Sequence, residues 1–546
     1  MIAIPDAGGR MAGNSSISMS RRLICLRLAV VVITLQVVHP AGAQLPGYRW
    51  ATGIGGEEDD TTMALVVDSS GVCFITGYCA GVAEFPGTTP LICRGLSDAF
   101  VARFDVAGRA VWAVRFGGTN VDIGQAITLD SSGNVLVAGY FAGDADFGNT
   151  NLVGFGRDDC FTAKLSANGQ VLWVRQAGGT NVDRGAGIAT DASGELLVTG
   201  SFRNSASFGA TNLTSRGQSD IFIAKYDSGG ELLWVRQGGG PGVDEGKAVA
   251  VGTRGDIWVT GFFGDVGTFD DTNALARGLG DFFVARYSAD GSLVWVRTAG
   301  GTNNLTSDTG DAIAVDSDGN CYVSGTFHGN GQIGSVEVQA GNSSAIFLAK
   351  YSPSGELLWA RASPTTSGGI GLDLAIDRRG TILMSGIFVG NATFSGVRRS
   401  SSSGQAESFL AAYAPAGELL WFSQSGGSAY NGANGLGVDD EGRAYTGGWY
   451  RSGTSFGGIQ VSNRISGRNA YIARIDGLPW LKAAAAGTNL VLSWTVYATN
   501  FQLQSSPILP ATTWGAVTDV ISLQADQRTV TKSIAENARY YRLIRQ

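Results

Sequence analysis

Apolar and polar residues alternate in short runs from residue 45 to residue 477, and the same pattern returns every 61–64 residues. In the third copy, we expect strand a at Ile188–Asp191, strand b at Leu196–Phe202, strand c at Ile221–Asp227 and strand d at Glu231–Arg236. Short runs rich in β-branched and aromatic residues, bounded by Gly, Asp and Ser, are typical of strands. The pattern therefore predicts a repeated unit of four antiparallel strands.

The links within this unit differ in length. Asp191–Gly194 and Asp227–Gly230 are predicted tight turns, because Asp bonds to its own backbone and Gly tolerates positive φ. A longer excursion, Arg203–Ser219, joins strands b and c. We expect one apolar side chain in each copy to anchor this excursion: Phe85, Phe147, Phe208, Phe269, Ile333, Phe394 and Phe456.

Seven Trp residues mark the successive d strands: Trp50, Trp112, Trp173, Trp234, Trp295, Trp359 and Trp421. The first d strand, Tyr48–Ala51, has no unit of its own, whereas the last a–b–c set, Ala433–Asp476, has no d strand. The N-terminal strand can therefore complete the last unit and leave no open edge. This predicts an all-β fold, a seven-bladed β-propeller of four-stranded antiparallel blades closed by the N-terminal strand. A linear β-solenoid is the alternative, but it leaves the mismatched ends unexplained.

Each strand a begins near a small residue, which we attribute to crowding of the inner strands around the axis. These residues are Thr62, Gly124, Gly185, Gly246, Gly310, Gly371 and Ala433.

The repeat stops after Gly477. Alternating apolar residues in 479–546 predict about six short strands of a small β-sandwich. Its role is either a spacer or folding cap, or a binding module. The expected organisation is thus a signal segment at 1–43, a propeller at 44–478 and a sandwich at 479–546.

The N-terminal segment has the pattern of a secretory signal. Arg21, Arg22 and Arg27 precede or interrupt an apolar run, Leu28–Val38, and an Ala-x-Ala ending predicts cleavage after Ala43. Residues 1–18 look like an over-long extension, since a signal that starts at Met19 has ordinary proportions. No later stretch is long and apolar enough to span a bilayer. We expect a secreted or extracytoplasmic protein without a membrane span after cleavage.

The composition and net charge exclude some classes of partner. Gly accounts for 81 of 546 residues, 44% are hydrophobic and 16% charged, so the chain can bury a large core. The net charge of −7 becomes −10 if residues 1–43, which carry four Arg and one Asp, are removed. Such an evenly acidic chain argues against nucleic acid and anionic lipid as partners. We expect a monomer.

Two His, His39 and His328, exclude most imidazole catalysis and His-ligated zinc. We expect His328 to be exposed to solvent. The Cys spacing is no disulfide framework: most Cys replace small buried apolar residues, and Cys79 and Cys93 either pair or stay free.

One polar position recurs between strand d and the next strand a, near the expected mouth of the central channel. It is occupied by Asp60, Asp122, Asp183, Asp244, Asp308 and Asn431, with Gly369 in the sixth copy. A ring of five carboxylates would attract Ca²⁺ or a cationic ligand. The alternative is that each Asp caps its own crossover turn.

A second recurrent acid opens strand c, as in Asp159 and Asp220, and a basic residue follows five positions later, as in Lys164 and Lys225. We expect ion pairs between adjacent blades from these residues. The Asp316–Asn320 segment imitates a calcium loop but lacks the downstream Glu, so we interpret it as an ordinary a–b turn.

The phrases VDSSGNVLVAGYF and SDIFIAKYDSGGELLWVR, followed by Gly-Gly, resemble the bacterial SBBP-type β-propeller repeat over residues 45–477. That resemblance implies an exported or surface protein, usually without a defined activity. Residues 479–546, through LVLSW, FQLQ and RYYRL, resemble immunoglobulin- or fibronectin-type modules. The GELLW phrase is also similar to the repeats of quinoprotein dehydrogenases, but their calcium ligands and catalytic Asp have no counterpart here.

Three functions remain. The first is a secreted non-enzymatic propeller that binds protein or glycan, or acts as a scaffold, through the face shared by the b–c excursions and the crossovers. The second is an extracellular polysaccharide hydrolase or lyase that uses carboxylates at the channel. The third is a quinone-dependent oxidoreductase. No resident cofactor is expected for the first, with Ca²⁺ as the only candidate ion.

Overall fold

A computed structural model describes residues 47–302, 305–402, 404–427, 430–451, 453–461, 467–477, 482–486, 489–495, 501–506, 513–524, 527–533 and 540–545. The chain divides into two compact units, Gln44–Leu478 and a second one that includes Pro479–Gln546. Within the described ranges the fold is all-β, made of antiparallel sheets, and holds no helix. Among these same residues, no helix is long and apolar enough to cross a membrane. The predicted signal segment, 1–43, lies outside the described residues.

The larger unit repeats one strand order, a-b-c-d, with each strand antiparallel to the next. In chain order from unit 1 to unit 7, the a strands are Thr61–Val67, Ile123–Leu129, Arg184–Thr190, Glu245–Val251, Thr309–Val315, Gly369–Ile376 and Asn431–Val438. The b strands are Cys73–Cys79, Val135–Phe141, Leu196–Phe202, Ile257–Phe263, Cys321–Ile333, Ile382–Val389 and Ala444–Tyr450. The c strands are Asp98–Phe104, Asp159–Leu165, Asp220–Tyr226, Asp281–Tyr287, Val336–Tyr351, Ala406–Tyr413 and Asn469–Asp476. The d strands are Ala110–Phe116, Val171–Gly179, Leu232–Gly239, Leu293–Gly301, Leu357–Pro364, Leu419–Gln424 and, for unit 7, Gly47–Ile54.

The tight turns form as the sequence predicts. Asp191 Oδ1 accepts the N–H groups of Ser193 at 3.0 Å and Glu195 at 2.9 Å, and Gly194 has φ +81°. Such a turn fixes the a–b register, in which Ile188 faces Val198. Strand a nevertheless begins at Arg184, four residues before the predicted start. The difference arises because a β-bulge at Ala186 interrupts the alternation from which the strand was predicted.

The b–c excursions are short hairpins in most units, and their anchor residues are buried as predicted. Phe208 is 2% exposed and Ile333 is fully buried. The paired strands are Val82–Ala83 with Leu91–Ile92, Ala145–Asp146 with Asn151–Leu152, Ser205–Phe208 with Thr211–Thr214, Val266–Phe269 with Thr272–Leu275, Asn391–Phe394 with Val397–Ser400, and Thr454–Phe456 with Ile459–Val461. In unit 5, strands b and c continue directly into the hairpin.

A Gly-Gly pair lies at the end of every Trp strand except that of Trp359, and it ties one unit to the next. Gly178 and Gly179 pair with Ser207 and Ala206 of the following excursion. A Cβ on Gly179 would lie 2.0 Å from the Ser205 carbonyl oxygen, so only glycine allows this close approach. The excursions are therefore held to the preceding unit by backbone pairing.

The outermost strands also bind the next unit. Trp173 Nε1 donates to Ser228 O at 3.2 Å, and Arg175 Nε donates to Gly230 O at 2.8 Å. The Trp173 ring lies against Gly230, where a Cβ would be 3.0 Å from ring carbons. The recurrent Trp is thus a packing residue at the contact between units.

The two ends of the repeat meet. Gly47–Ile54 pairs with Asn469–Asp476 along its length, for example Thr52 with Ile472. Each strand a contacts the strand a of the next unit, and Asn431–Val438 contacts Thr61–Val67. Asn434 Nδ2 donates to Thr62 O at 2.9 Å across this junction.

The small residues near the start of strand a have a different cause from the predicted one. A Cβ on Gly246 would lie 2.2 Å from Thr199 Oγ1, and one on Gly310 would lie 2.1 Å from Thr260 Oγ1. The space is taken by strand b of the preceding unit rather than by crowding at the axis. These glycines therefore set the distance between neighbouring units.

The C-terminal unit contains two small sheets. One has the order Lys482–Ala486, Asn489–Thr495, Gln527–Ser533 and Ser522–Gln524, and the other Gly515–Ala516, Phe501–Ser506 and Tyr540–Arg545. Buried side chains from both sheets form one cluster: Leu492, Trp494, Leu503, Val530, Tyr541 and Leu543.

Candidate functional site

A cavity of about 490 Å³ lies between the a strands, and every strand a contributes to its wall. Each of these strands carries a β-bulge at the same position. The bulged residues all border the cavity: Met63, Gln125, Ala186, Lys247, Asp311, Leu372 and Asn434. A bulge re-aims one side chain relative to its neighbours. The repeated frame therefore presents seven side chains of different chemistry to one space.

One end of the cavity is bordered by the first residues of strand a and the last residues of strand b. Arg184 lies there, with Tyr140, Ser201 and Glu245. Arg184 donates from Nε and from its NH2 group to Asp158 Oδ2, at 2.8 and 2.5 Å. Its guanidinium carbon lies 4.4 Å from the Tyr140 ring centroid, a cation–π distance. The ion pair and the ring together hold the guanidinium in place.

The basic side chain deeper in the cavity also has a partner. Lys247 Nζ lies 2.5 Å from Glu245 Oε2 and 5.6 Å from the Phe262 ring centroid. Asp311, from the next unit, accepts a hydrogen bond from Thr309 Oγ1 at 2.7 Å. Burial raises the pKa of Asp311 to about 6, against the opposing effect of Lys247.

Asp373 joins two neighbouring a strands at the cavity wall. Its Oδ2 accepts the N–H of Leu436 at 2.7 Å, and its Oδ1 accepts the N–H of Leu374 at 2.8 Å. Burial raises its pKa to about 7. Asp373 thus has a packing function as well as a place in the lining.

The predicted carboxylate ring is not part of this lining. Its members are at most 2% exposed, and none of them borders the cavity: Asp60, Asp122, Asp183, Asp244, Asp308 and Asn431. Asp244 shows the arrangement of the five Asp residues. Its Oδ2 accepts the Gly240 N–H at 2.7 Å, and its Oδ1 accepts the Gly264 N–H at 3.0 Å. Each Asp therefore joins its own crossover to the chain that follows strand b.

The same pairs of N–H groups recur around the repeat: Gly56 and Ala80 on Asp60, Gly118 and Ala142 on Asp122, Gly179 and Arg203 on Asp183, and Gly301 and His328 on Asp308. Asn431 differs, since its Oδ1 accepts the Ser408 N–H at 2.8 Å and the Ser425 hydroxyl at 2.5 Å. Burial raises the pKa of Asp60, Asp244 and Asp308 to about 7 and that of Asp122 and Asp183 to about 6. As a ligand site, the ring stays a prediction.

No cluster of three or more His, Cys, Asp or Glu side chains placed to hold a metal occurs in the described part of the chain.

The prediction of ion pairs between blades is wrong for five basic residues of strand c, which pair with acids of their own unit: Lys164, Lys225, Arg286, Lys350 and Arg474. Lys225 Nζ lies 2.6 Å from Glu195 and 3.3 Å from Asp191, both at the a–b turn of the same unit. Only a carbonyl, Ala289 O at 3.5 Å, comes from the next unit. The acid that opens strand c, Asp220, instead accepts the Arg216 N–H at 3.0 Å.

The prediction for His328 is also wrong. Its ring is 23% exposed, and Nδ1 lies 3.0 Å from Ser307 O, because the continuous hairpin of unit 5 holds it against the crossover. Asp316 forms the ordinary a–b turn that the sequence predicts. Cys79 and Cys93, which the sequence left open, form a disulfide, and Cys73, Cys160 and Cys321 are buried as expected.

The sequence did not identify the cavity residues, although it carries a signal for them. In strand a, the small residue recurs, but the residue after it is Met, Gln, Ala, Lys, Asp, Leu or Asn. Packing keeps a position similar among copies of a repeat. A position that varies among copies is free to serve a ligand.

These features define an all-β repeat protein with a central cavity. Residues 111–140 match the family model of the SBBP β-propeller repeat. They cover strand d of unit 1 and strands a and b of unit 2, so the predicted resemblance is confirmed for this segment.

Two curated relatives are similar over part of their length. An uncharacterized WD repeat-containing protein of Acanthamoeba polyphaga mimivirus is 23% identical over 62% of this chain and 31% of its own length. The regulatory protein FlaEY of Caulobacter vibrioides is 33% identical over 20% of this chain and 12% of its own. The chain thus spans a third or less of these relatives.

Among solved structures, a mutant puromycin hydrolase is similar over 83% of this chain and 59% of its own, with 13% identity and a TM-score of 0.36. That degree of similarity transfers no activity.

Proposed function

We propose that residues 44–478 form a closed, seven-bladed β-propeller and that residues 479–546 form a small β-sandwich. The pairing of Gly47–Ile54 with Asn469–Asp476 and the cyclic contacts among the a strands support closure. The cluster of buried side chains between the two C-terminal sheets supports the sandwich.

We further propose that this propeller is a secreted or cell-surface, non-enzymatic module that binds protein or glycan at the end of the cavity that holds Arg184. The observation that carries this proposal is the contrast within strand a, where apolar, amide, basic and acidic side chains border one cavity on a frame that otherwise repeats. The Cys79–Cys93 disulfide fits an oxidising compartment outside the cytoplasm. We propose a monomer without a resident cofactor.

The loops around the end of the cavity that holds Arg184 are suited to binding. Backbone bridges join the end of each of three excursions to the following crossover, at Ser97–Val121, Asp158–Val182 and Ser219–Val243. The excursions and crossovers of these units therefore share one face. Because each excursion is also paired to the preceding unit, a ligand would meet a preorganised surface.

Glycan and protein arrays with the mature chain test this proposal. Binding is expected for at least one ligand, and Ala186→Trp, which places a bulky side chain in the cavity, should weaken it at least tenfold. Leu172→Trp is the matched control, since Leu172 is 50% exposed on an outermost strand and borders no part of the cavity. Equal binding by both variants and the parent would contradict the proposed site.

Polysaccharide hydrolysis or lysis is the second candidate, because the carboxyls of Glu245 and Asp311 border the same cavity. A burial-raised pKa of about 6 on Asp311 suits a general acid. Release of reducing or unsaturated ends from polysaccharides, abolished by Asp311→Asn, would favour this function over binding alone. A quinone-dependent oxidoreductase, the third function, would show a cofactor absorption band in the purified protein.

Calcium is expected to leave the protein unchanged. Both carboxylate oxygens of Asp244 already accept backbone N–H groups, and a cation would have to displace these donors. Millimolar Ca²⁺ should therefore not shift the melting temperature relative to the same concentration of Mg²⁺. A rise of the melting temperature with Ca²⁺ alone would support a calcium site at the carboxylate ring.

A further inference from the structure

The charged side chains of the cavity already have partners within the protein. Arg184 is paired with Asp158, and Lys247 is paired with Glu245. Asp311 accepts the Thr309 hydroxyl at 2.7 Å, and Asp373 accepts the N–H groups of Leu374 and Leu436, so both carboxyls already have donors from the protein. A charged ligand would therefore have to compete with an ion pair or a hydrogen bond that the protein already makes.

Several uncharged hydrogen-bonding groups without a partner lie together in units 2 and 3. Among the described residues, the Gln125 and Ser201 side chains and the Tyr140 hydroxyl make no hydrogen bond. The NH1 group of Arg184 likewise has no acceptor, since only Nε and NH2 bond to Asp158. These groups border the same cavity and include both donors and acceptors.

Size and shape fit a small polar molecule. The cavity of about 490 Å³ lies within the range of roughly 300–1,000 Å³ of small-molecule sites. Tyr140 adds an aromatic ring that is half-buried at the wall and fixed by the Arg184 guanidinium. Aromatic rings offer an apolar face beside a polar tip.

We propose that this cavity binds a neutral oligosaccharide, an inference that rests on the proposed binding function. Sugar hydroxyls donate and accept at once, which matches the uncommitted groups of Gln125, Ser201, Tyr140 and Arg184. The apolar C–H face of a sugar ring suits the Tyr140 ring, and a ligand without charge leaves the ion pairs of Arg184 and Lys247 intact.

Titration calorimetry of the mature chain with three ligand panels tests the inference. The panels are neutral gluco-, xylo- and chito-oligosaccharides, uronate oligosaccharides, and charged peptides. A neutral oligosaccharide is expected to bind with an affinity that changes less than about twofold between 50 and 500 mM NaCl, because no ion pair forms.

Variants locate the contact. Gln125→Leu removes the amide and should weaken binding about tenfold, the value of one or two hydrogen bonds. Tyr140→Leu should have a similar effect. Arg157→Leu is the control, since Arg157 is exposed on the same face and does not border the cavity. Melting temperatures confirm that each variant is folded.

The outcomes separate the inference from the proposed function. Binding of uronates or peptides alone, blocked by Ala186→Trp, would overturn the neutral-sugar inference and retain the binding module. A second outcome is that neutral sugars bind, but with an affinity that none of the three cavity variants changes: Gln125→Leu, Tyr140→Leu and Ala186→Trp. That result would overturn the assignment of the sugar site to this cavity. If no ligand of the three panels shows binding that Ala186→Trp weakens, both the inference and the proposed function are overturned.

Discussion

A chain that begins at Glu57, and so lacks Gly47–Ile54, is expected to lose several kcal/mol of stability and its sharp unfolding transition. The missing strand pairs with Asn469–Asp476, and its removal uncovers Ile472 and Ile475, which are now fully buried. Each large buried side chain contributes roughly 1.5–3 kcal/mol. The open edge of strand c would also expose unpaired N–H and C=O groups.

The same strand links unit 7 to unit 1, which enlarges the expected effect. Trp50 Nε1 donates to Val106 O at 3.3 Å, and Thr52 Oγ1 donates to Gly108 O at 2.9 Å. These are the contacts that Trp173 and Arg175 make between units in the middle of the chain. Loss of the strand therefore weakens two units at once.

Thermal and urea unfolding measure this effect against a control chain that begins at Gly47. A synthetic peptide of residues 47–54, added to the shorter chain, should restore part of the lost stability. If the two chains melt cooperatively within about 2 °C of each other, the N-terminal strand does not close the ring.

The parts of the fold that the sequence predicts are those set by local chemistry. The Asp191 turn, the Phe208 anchor and the strand order follow from residues close in the chain. The bulge at Ala186 does not, because it needs the partner strand to define the register. Because the bulge was not predicted, the predicted start of strand a was four residues too late. For the same reason the residues that face the cavity were not identified.

The recurrent acids also make contacts with residues distant in the chain, which the sequence alone does not predict. Asp244 bonds to Gly240, four residues back, and to Gly264, twenty residues ahead. The first contact is local and was anticipated as a turn cap, whereas the second requires strands a and b to be folded. Sequence spacing alone therefore could not distinguish a ring of ligands from a set of internal braces.

In a repeat protein, recurrence and function are separate signals. Trp173, Gly179 and Asp183 recur because every unit must pack on the next. Gln125, Lys247 and Asp311 occupy one equivalent position and share no chemistry, which packing does not explain. Positions that differ among copies are thus the better candidates for a ligand site.

The stability of the protein is expected to rise as the pH is lowered from 8 to 5. The pKa values of Asp60, Asp244 and Asp308 are raised to about 7, and those of Asp122 and Asp183 to about 6, in each case by burial. Their unfolded value is 3.8. Between pH 3.8 and 7 the folded chain binds more protons than the unfolded chain, so the free energy of unfolding falls as the pH rises.

Asp311 and Asp373, whose pKa values burial raises to about 6 and 7, act in the same direction, and other groups change the slope less. The pKa values of Asp130, Asp191 and Asp316 are lowered, because hydrogen bonds from their turns and from strand-c lysines outweigh burial. The contribution of these carboxylates to the stability of the fold is therefore lost only below about pH 4. His328, whose pKa is lowered by burial, opposes the trend as a single group. Each pH unit below the folded pKa is worth about 1.4 kcal/mol per raised carboxyl.

Urea unfolding of the parent and of Asp244→Asn at pH 5, 6, 7 and 8 measures the slope. The amide cannot titrate, so this variant should show a smaller gain at pH 5 than the parent. Its amide oxygen can accept from only one of the N–H groups of Gly240 and Gly264, so the slope with pH is compared and not the absolute stability. Asp271→Asn, at an exposed hairpin position, is the control and should keep the parent slope. If the parent is most stable at pH 8, the buried carboxyls are ionised in the folded chain, and the five hydrogen-bonded pairs of N–H groups outweigh their burial.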